Sequence, residues 1–366
     1  MRIPLSKPFI NEDVRRRVAE VLDSGYLTEG PVTQEFEQTC AGFIGCRHAL
    51  AVCNCTVGLE MALRVLEVGP GDEVVVPDYT YPATASVVNI VGATVVLVDV
   101  DRATTLIDMD ALEAAITPQT KVVMPVSLLG APLDYDRLNA LKETYGFFIV
   151  EDAACAMGTE FGGKKAGNLA DISAFSFYPR KFITTGEGGL VTTPDDAWAE
   201  WMDSYKHFGM GRQTTREDTV FDIVGTNYKM SNILAAVGQA QMLMIDELLF
   251  RRREQAAHYV ERLAGHPRII IPAIPEQGLH SYQAFCILIE ERDRVMREMR
   301  AAGVEVQIGS YALHRHSAFR PHAGCRHSGS LEDSDYVFEH ALTLPLYHEL
   351  TEEQQDQVIE MLCRLT

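Results

Sequence analysis

The sequence has no apolar run near the roughly 20 residues that a helix needs to cross a bilayer. Its N-terminus, MRIPLSKPFINEDV, lacks the apolar core of a secretory signal. We therefore expect a cytoplasmic protein without a membrane partner. With 366 residues, 47% of them hydrophobic and 23% charged, the chain is long enough for one large domain and a smaller one, each with its own core.

The chain is also short of positive charge. It carries 32 Lys and Arg residues against 51 Asp and Glu residues, which gives a formal net charge of −19. An acidic surface of this kind repels phosphate backbones, so nucleic acid is not expected as a partner. A small anionic substrate remains compatible with this charge, because local cations and backbone amides can hold it.

No C-x-x-C pair occurs among the eight cysteines, which disfavours a zinc ribbon. Cys53 and Cys55 form a C-x-C that fits either metal or redox chemistry or simple packing at a strand end, and packing is favoured. The stretch 314–327 contains four histidines and Cys325, but it has no helical i, i+4 pair or tight ligand motif. A solvated loop is favoured there over a metal site, and we predict no bound metal.

Short apolar, β-branched runs alternate with helical patterns in the first half of the chain, which indicates an α/β fold with a mostly parallel sheet. Seven runs are predicted as strands of the central sheet: 48–53, 73–77, 94–100, 121–127, 147–151, 172–177 and 189–193. Helices are predicted between several of them, for example at 56–67 and 110–116. The runs at 121–127 and 147–151 are apolar throughout, as expected for strands covered on both faces.

The pattern changes near residue 235. A long helical pattern runs from Ser231 into the 250s, and a βαβ-like stretch follows at 283–308. A final helix at 351–364 opens with residues typical of a capping box. We therefore predict a large domain, 1–235, and a smaller C-terminal α/β domain, 236–366.

Lys181 is the first candidate for chemistry. It lies in FSFYPRKFITTGEGGLVTT, between a strand ending near Phe177 and another starting near Gly189. Most lysines are solvated surface charges, but the apolar and aromatic neighbours here are expected to desolvate the amine and lower its pKa, as a Schiff-base lysine requires. Ser176, at the end of the preceding strand, is placed to donate a hydrogen bond to a phosphate.

Three further segments carry candidate residues, and Asp152 and Lys181, on neighbouring candidate strands, are more specific together than either is alone. Asp152, in FFIVEDAACAMG, falls at the carboxyl end of an apolar strand, where α/β sheets place their ligands. It fits either a partner for a protonated pyridine nitrogen or a cap for the next helix. The sequence CNCTVG leads into a helix whose first amides, with the Thr56 hydroxyl, favour an anion. Tyr81, just after a strand, fits either stacking on a flat cofactor or packing in the core.

Taken together, these blocks resemble the DegT/DnrJ/StrS family of PLP-dependent sugar aminotransferases, which have fold type I. The resemblance runs nearly end to end, through SGYLTEGPVTQEFE, GPGDEVVVPDYTYPATA, GATVVLVDVD, EDAA, FSFYPRK with TTGEGG, NYKMSNILAAVGQAQM and LPLYHELTEEQQDQVIE. It implies an aspartate aminotransferase-like fold with a cofactor that alternates between PLP and PMP. It also implies a place in nucleotide-sugar or polysaccharide biosynthesis.

The resemblance assigns roles to residues at matching positions. Lys181 matches the internal-aldimine lysine, which also moves the proton between Cα and C4′. Asp152 matches the acid that pairs with the pyridine nitrogen, and Tyr81 matches the aromatic residue that stacks on the ring.

The phosphate contacts implied by the resemblance are the backbone amide of Cys55 and the side chains of Thr56 and Ser176. Asn227, in GTNYKM, resembles an asparagine that reaches the phosphate bound by the neighbouring subunit. The resemblance therefore implies a homodimer with shared active sites.

The chain departs from the family pattern at three positions. Cys55 replaces a glycine in the phosphate loop, which puts the shape of that loop in doubt. Cys155 stands where His or Gln commonly faces the cofactor, so its role at the ring is open. Phe182 follows Lys181 where a smaller or polar residue is frequent.

The implied reaction is a ping-pong transamination. An amino acid, usually L-glutamate, gives its amino group to PLP, and the resulting PMP aminates a ketone, typically the 3- or 4-keto group of a nucleotide-linked deoxysugar. Arg180, His314 and Arg315 are candidate contacts for a substrate carboxylate or phosphate, although each is also explained as a solvated surface residue.

Three alternatives stand beside this reaction. In the first, which the sequence leaves open, the acceptor is a non-nucleotide ketone, such as a cyclitol or a small phosphorylated ketone. A sugar dehydratase of the same fold has histidine in place of the lysine, so Lys181 argues against it. A regulatory or binding protein on a decayed PLP scaffold is disfavoured because Lys181, Asp152, Ser176 and Asn227 are all present.

Overall fold

The computed structural model describes residues 2–210, 217–322 and 324–366. The α-helices in these ranges are α1 (Glu12–Ser24), α2 (Pro31–Ile44), α3 (Cys55–Val65), α4 (Pro82–Ile90), α5 (Met109–Ala115), α6 (Tyr135–Tyr145), α7 (Asp196–Lys206), α8 (Asn232–Met242), α9 (Ile245–Leu263), α10 (Arg292–Ala301), α11 (Glu332–His340) and α12 (Glu352–Leu365). The strands are β1 (His48–Val52), β2 (Glu73–Pro77), β3 (Tyr79–Thr80), β4 (Thr94–Val98), β5 (Thr120–Val123), β6 (Phe148–Asp152), β7 (Glu160–Phe161), β8 (Lys164–Lys165), β9 (Ile172–Ser176), β10 (Gly189–Thr193), β11 (Ile269–Ile270), β12 (Gly278–Leu279), β13 (Phe285–Ile289), β14 (Gln307–Ile308), β15 (Tyr311–Ala312), β16 (Cys325–His327) and β17 (Ala341–Leu344).

The central sheet has the order β1-β10-β9-β6-β5-β2-β4-β16. Only β10 runs against its two neighbours, and every other adjacent pair is parallel. The seven strands predicted from the sequence all lie in this sheet, so the prediction of a mostly parallel α/β fold is confirmed. The carboxyl ends of β6 and β9 lie side by side, which brings Asp152 and Ser176 to the same edge of the sheet.

An additional eighth strand, β16, extends the sheet beside β4. Its Cys325 is buried, and the His327 ring nitrogen Nε2 lies 2.8 Å from the carbonyl oxygen of Phe319. The prediction of a solvated loop over 314–327 is therefore wrong, because part of this stretch pairs with the sheet and fills its edge. A three-residue strand carries no periodicity that the sequence could reveal.

Both faces of the central sheet are covered. In β5, Val122 packs into one apolar core and Val123 into another, and in β6, Val150 and Ile149 divide in the same way between these two cores. Since successive side chains of a strand point to opposite faces, an apolar run is what such a doubly covered strand requires. The predicted burial of the central strands on both faces is confirmed.

Polar side chains cap many of the helices where the sequence placed them. Asn54 accepts a hydrogen bond from the Val57 amide at the start of α3. Thr351 and Gln354 form a reciprocal capping box at the start of α12, as predicted. The two caps define where these helices begin.

The long helix predicted from Ser231 into the 250s is wrong in one respect, because the chain forms two helices, α8 and α9, bent by 62°. Ala235 and Met242 of α8 pack in the same apolar core as Leu249 of α9, whereas Tyr259, later in α9, packs in the core of the C-terminal part. The two helices together therefore contribute to two cores. In the described ranges, no single helix is long and apolar enough to cross a membrane. The bent pair of α8 and α9 meets the requirements for a membrane span by length and composition only.

The C-terminal part contains a four-stranded antiparallel sheet with the order β11-β13-β17-β14. Since β13 and β14 both run against β17, they are parallel to each other and α10 connects them, as the predicted βαβ-like stretch requires. The N-terminal segment joins this core, because Ile3 pairs with Val304. The boundary predicted at 235/236 falls within α8, and the division into 1–235 and 236–366 stays a prediction.

Candidate active site

Lys181 lies in a turn that follows β9. The Lys181 amide donates to the carbonyl oxygen of Tyr178 at 2.8 Å. The next residue, Phe182, donates its amide to the side-chain oxygen of Gln283 at 3.1 Å. Further along, the Gln241 side chain both accepts from the Thr184 amide and donates to the Thr184 carbonyl, each at 2.9 Å. The lysine is therefore carried by a turn that is tied at several points to buried side chains.

The amine of Lys181 contacts Cys155, with 2.9 Å between Nζ and Sγ. Burial lowers the pKa of Lys181, but the neighbouring Cys155, Cys55 and Asp152 raise it by more, so the net direction is upward. The expectation of a lowered pKa is therefore wrong for the chain by itself. The apolar neighbours do desolvate the amine, but groups distant in sequence face it and favour its protonated form.

Asp152 ends β6 and is buried. One carboxylate oxygen, Oδ2, accepts from the Thr84 hydroxyl at 2.7 Å, and the other, Oδ1, accepts from the Ala154 amide at 3.1 Å. No arginine or lysine lies within salt-bridge distance of it among the described residues. Burial raises the pKa of Asp152, and these hydrogen bonds oppose that effect. A buried carboxylate in this position is suited to a cation that comes with a ligand.

The N-terminus of α3 lies against β10. A Cβ atom at Gly189 would lie 2.6 Å from the backbone nitrogen of Cys55, so only glycine lets the loop approach the strand this closely. The amides of Cys55 and Thr56 are at the first helical positions, where no intrahelical acceptor exists. Such amides favour an anion at the helix N-terminus.

Three other predicted residues border this region. Ser176 ends β9, and its hydroxyl accepts from the Tyr178 amide at 3.3 Å. Tyr81 precedes α4, and its side chain is 64% exposed, so the ring is not packed in the core. Asn227 is exposed, and its side-chain oxygen accepts from Lys229 Nζ at 2.6 Å. The open surfaces of Tyr81 and Asn227 are compatible with the contacts predicted for them.

The three candidate substrate contacts differ in their surroundings. Both ring nitrogens of His314 face carboxylates, with Nδ1 at 2.7 Å from Asp78 and Nε2 at 3.3 Å from Asp335. Arg315 pairs with Asp335 and with a second carboxylate on α11, so its charge is compensated. Arg180 is exposed, its guanidinium donates to the side-chain oxygen of Gln307 at 3.1 Å, and it interacts with the Glu305 carboxylate without forming a salt bridge to it. Arg180 is therefore the one of the three best placed to accept an anionic group.

The C-x-C cysteines do not converge on a common site. Cys55 packs in the core and its Sγ lies 3.5 Å from the carbonyl oxygen of Ala174, which agrees with the packing interpretation. Among the described residues, one group of possible metal ligands is found elsewhere, formed by Glu29, Asp203 and His207. The ammonium of Lys206 lies 2.9 Å from Glu29 and therefore already supplies a cation to that group.

Sequence reasoning missed two residues that contact this site. The Thr84 hydroxyl donates a hydrogen bond to Asp152, which lies 68 positions later in the chain. The only signal for Thr84 in the sequence is its place three residues after Tyr81 in YPAT. Tyr311 lies beside Tyr81, with 6.2 Å between the ring centroids, because β15 pairs with β3. Neither contact follows from local periodicity.

The chain matches solved structures of aminotransferases over its full length. Spr1654 from Streptococcus pneumoniae, described as a sugar aminotransferase and solved in its PMP form, is 31% identical with a TM-score of 0.93, over 100% of this chain and 98% of that chain. The aminotransferase TlmJ from Streptoalloteichus hindustanus is 30% identical with a TM-score of 0.93 and the same coverage. DesV from S. venezuelae, solved with a ketimine intermediate, is 31% identical with a TM-score of 0.92 and the same coverage.

The fold and these likenesses define a PLP-dependent aminotransferase of fold type I. A family model for the DegT/DnrJ/EryC1/StrS aminotransferases matches residues 8–363, and the chain belongs to that family. The residues present fit the cofactor. Asp152 offers a buried carboxylate to a ring nitrogen, α3 offers amides to a phosphate, and Lys181 offers an amine between them.

Proposed function

We propose that this enzyme transfers an amino group from an amino acid, L-glutamate, to the keto group of a nucleotide-linked deoxysugar at carbon 3 or 4. Membership of the family and the likeness to proteins described as sugar aminotransferases support the class of acceptor. The observation that carries the proposal is the proximity of the Lys181 amine, which contacts Cys155 and interacts electrostatically with Asp152, to the buried carboxylate that ends β6.

Lys181 has two tasks in this proposal. Its Nζ would hold the cofactor covalently, and as a free amine it would move the proton between the substrate Cα and C4′. PLP supplies the electron sink that makes the Cα proton acidic. The carboxylate of Asp152, held by Thr84, keeps a proton on the pyridine nitrogen and so preserves that sink. Since Lys181 is not histidine, the amino group is passed on rather than retained.

The other groups orient the cofactor. The amides of Cys55 and Thr56 bind its phosphate at the N-terminus of α3, and the hydroxyl of Ser176 approaches from β9. The exposed ring of Tyr81 would stack on the pyridine ring. Cys155 lies against the lysine amine and would therefore be close to the cofactor.

We also propose a homodimer with shared active sites, in which Asn227 reaches the phosphate bound by the partner. The exposed position of Asn227 supports this assignment. Large apolar side chains around the same region are also exposed, and they include Tyr26, Leu27, Phe208, Phe221 and Val224. Light scattering on the purified protein checks the dimer, and a monomer at micromolar concentration would contradict it. The cytoplasmic location stays a prediction from the sequence.

The test combines spectroscopy with product analysis. Protein reconstituted with PLP is expected to show the absorbance band of lysine-bound PLP, and L-glutamate is expected to bleach it. Lys181→Ala removes the band and multiple turnover, whereas Lys164→Ala, at an exposed position on β8, leaves both unchanged. A wild-type protein without the band, or a Lys181→Ala variant with sustained turnover, would contradict the assignment.

The acceptor is identified by mass spectrometry on a panel of keto compounds with glutamate as donor. Nucleotide-linked 3- and 4-keto sugars are expected to give aminated products. A product without a nucleotide, from a cyclitol or a small phosphorylated ketone, would favour the second candidate acceptor. PLP binding without transfer to any ketone would favour a non-catalytic binding role.

A further inference from the structure

Glu151, the residue before Asp152 in β6, is a fully buried carboxylate with no assigned role. It accepts three hydrogen bonds from hydroxyl groups. Ser127 Oγ and Tyr135 OH each donate to Oε1 at 2.6 Å, and Ser173 Oγ donates to Oε2 at 2.9 Å. Within the described residues, no lysine, arginine or histidine forms an ion pair with it.

The three donors come from three different elements around Asp152. Ser127 belongs to the loop after β5, Tyr135 begins α6, and Ser173 lies opposite Glu151 on β9. The same loop holds the main chain of Asp152, because the Asp152 amide donates to the Pro125 carbonyl at 2.9 Å and the Asp152 carbonyl accepts from the Ser127 amide at 3.1 Å. The side chain of Glu151 therefore ties together the segments that flank Asp152.

Adjacent residues of a strand point to opposite faces, so Glu151 faces away from the proposed cofactor while Asp152 faces it. On β9, Ser176 lies three residues beyond Ser173. The hydrogen bond between Glu151 and Ser173 thus adds a side-chain link to the backbone pairing of β6 and β9, close to the two groups that would hold the ring nitrogen and the phosphate.

Stability alone explains this carboxylate poorly. Burying a carboxylate without a cationic partner costs desolvation free energy, which its hydrogen bonds have to offset. Burial raises the pKa of Glu151, and the hydroxyl donors oppose that effect. A fully satisfied polar network of this kind specifies one arrangement of the elements it joins.

We propose that Glu151 is a positioning residue for the cofactor site, which sets the placement of Asp152 and Ser176 without touching the cofactor. The inference rests on the proposed PLP site. Because a cofactor contact must be held to within about 0.5 Å, loosening this network is expected to weaken cofactor binding more than it weakens the fold.

The test compares Glu151→Gln and Tyr135→Phe with a matched control, Thr343→Val. Thr343 also donates a buried hydroxyl hydrogen bond, to the Gln307 carbonyl at 2.9 Å, but it lies in the C-terminal sheet. The measurements are the dissociation constant of PLP from the apoprotein, the pH midpoint of the lysine-bound PLP absorbance, and the melting temperature.

Glu151→Gln is expected to weaken PLP binding about tenfold and to shift the pH midpoint of the absorbance. Tyr135→Phe is expected to weaken PLP binding about threefold and to shift the midpoint in the same direction. Thr343→Val lowers the melting temperature without either change. PLP affinities within twofold of wild type and unshifted midpoints in both variants would overturn the inference. If Glu151→Gln does not fold, Tyr135→Phe decides alone. A wild-type protein that binds no PLP would instead overturn the proposed function.

Discussion

Lys206 provides the sharpest test of how the fold around the site is held. Its side chain is fully buried at the end of α7, and its Nζ lies 2.9 Å from Glu29, 3.2 Å from Glu37 and 3.6 Å from Asp203. It also lies 3.3 Å from the carbonyl oxygen of Ala51, at the end of β1 that leads into the phosphate loop. Lys206→Met keeps the length of the side chain and removes the ammonium that lies between these carboxylates.

The expected loss is large because the carboxylates stay behind. Removing one partner of a buried ion pair typically costs about 3–5 kcal/mol of the free energy of unfolding. An unfolding entropy of about 2.1 cal/mol/K per residue gives roughly 0.8 kcal/mol/K for this chain. The melting temperature of Lys206→Met is therefore expected to fall by roughly 4–6 °C.

The loss should depend on pH. Burial lowers the pKa of Lys206, but Glu37, Glu29 and Asp203 raise it by more, so the net pKa is raised. The stabilisation is therefore fully present below the ordinary lysine pKa of about 10.4 and is lost as pH rises through the folded-state value. Burial raises the pKa of Glu37, so in the variant this carboxyl takes up a proton as pH falls. The difference from wild type should shrink toward about pH 4.5.

The assay is differential scanning fluorimetry on both proteins from acid to alkaline pH. Lys121→Met is the control, because Lys121 is partly exposed and lies 3.4 Å from Asp72. Such a pair is worth about 0–1 kcal/mol, so the control should melt close to wild type. A Lys206→Met variant that melts within 1 °C of wild type at neutral pH, or whose deficit does not change with pH, would refute the reasoning.

Two further perturbations probe the site and its neighbourhood. Gly189→Ala places a Cβ 2.6 Å from the backbone nitrogen of Cys55, so PLP should bind about tenfold more weakly in a fluorescence titration, whereas Gly42→Ala, where nothing lies within 4 Å, should bind PLP as wild type does. Equal PLP affinity in both glycine variants would contradict the close approach. The hydrogen bond with Asp78 raises the pKa of His314. Wild type should therefore be more stable than His314→Gln by the largest amount below about pH 6.5, and this difference should decline as pH rises through the folded-state pKa of His314. A stability difference that grows with pH in thermal melts would argue against the pair of His314 and Asp78.

The central sheet could be predicted from the sequence because its strands are short apolar runs with clear boundaries. The run at 73–77 and the run at 189–193 match β2 and β10 residue for residue. Asp152 was predicted at the carboxyl end of an apolar strand, where α/β sheets place their ligands, and the strand assignment was sufficient for that prediction. The roles of the site residues followed from the family resemblance, not from periodicity.

The contacts that orient these residues could not be predicted. Thr84 and Asp152 are 68 positions apart, and Glu151 and Ser173 are 22 apart, so each hydrogen bond depends on how the sheet and helices pack. The short strand β16 was missed because three residues show no period. The bend between α8 and α9 was missed because the residues on both sides of the break have a helical sequence pattern.

The sequence around Lys181 was not sufficient to predict the direction in which its pKa shifts. Its apolar neighbours lower the pKa through burial, but Cys155 and Asp152, 26 and 29 positions earlier, act in the opposite direction and prevail. In the proposed holoenzyme, a protonated pyridine nitrogen would pair with Asp152 and compensate its charge, which would remove one of the groups that favour the ammonium form of Lys181. Cys155, which raises the pKa of Lys181 more than Asp152 does, would remain beside the amine. The direction of the shift therefore depends on groups that the packing of the chain brings to the lysine, and not on its sequence neighbours.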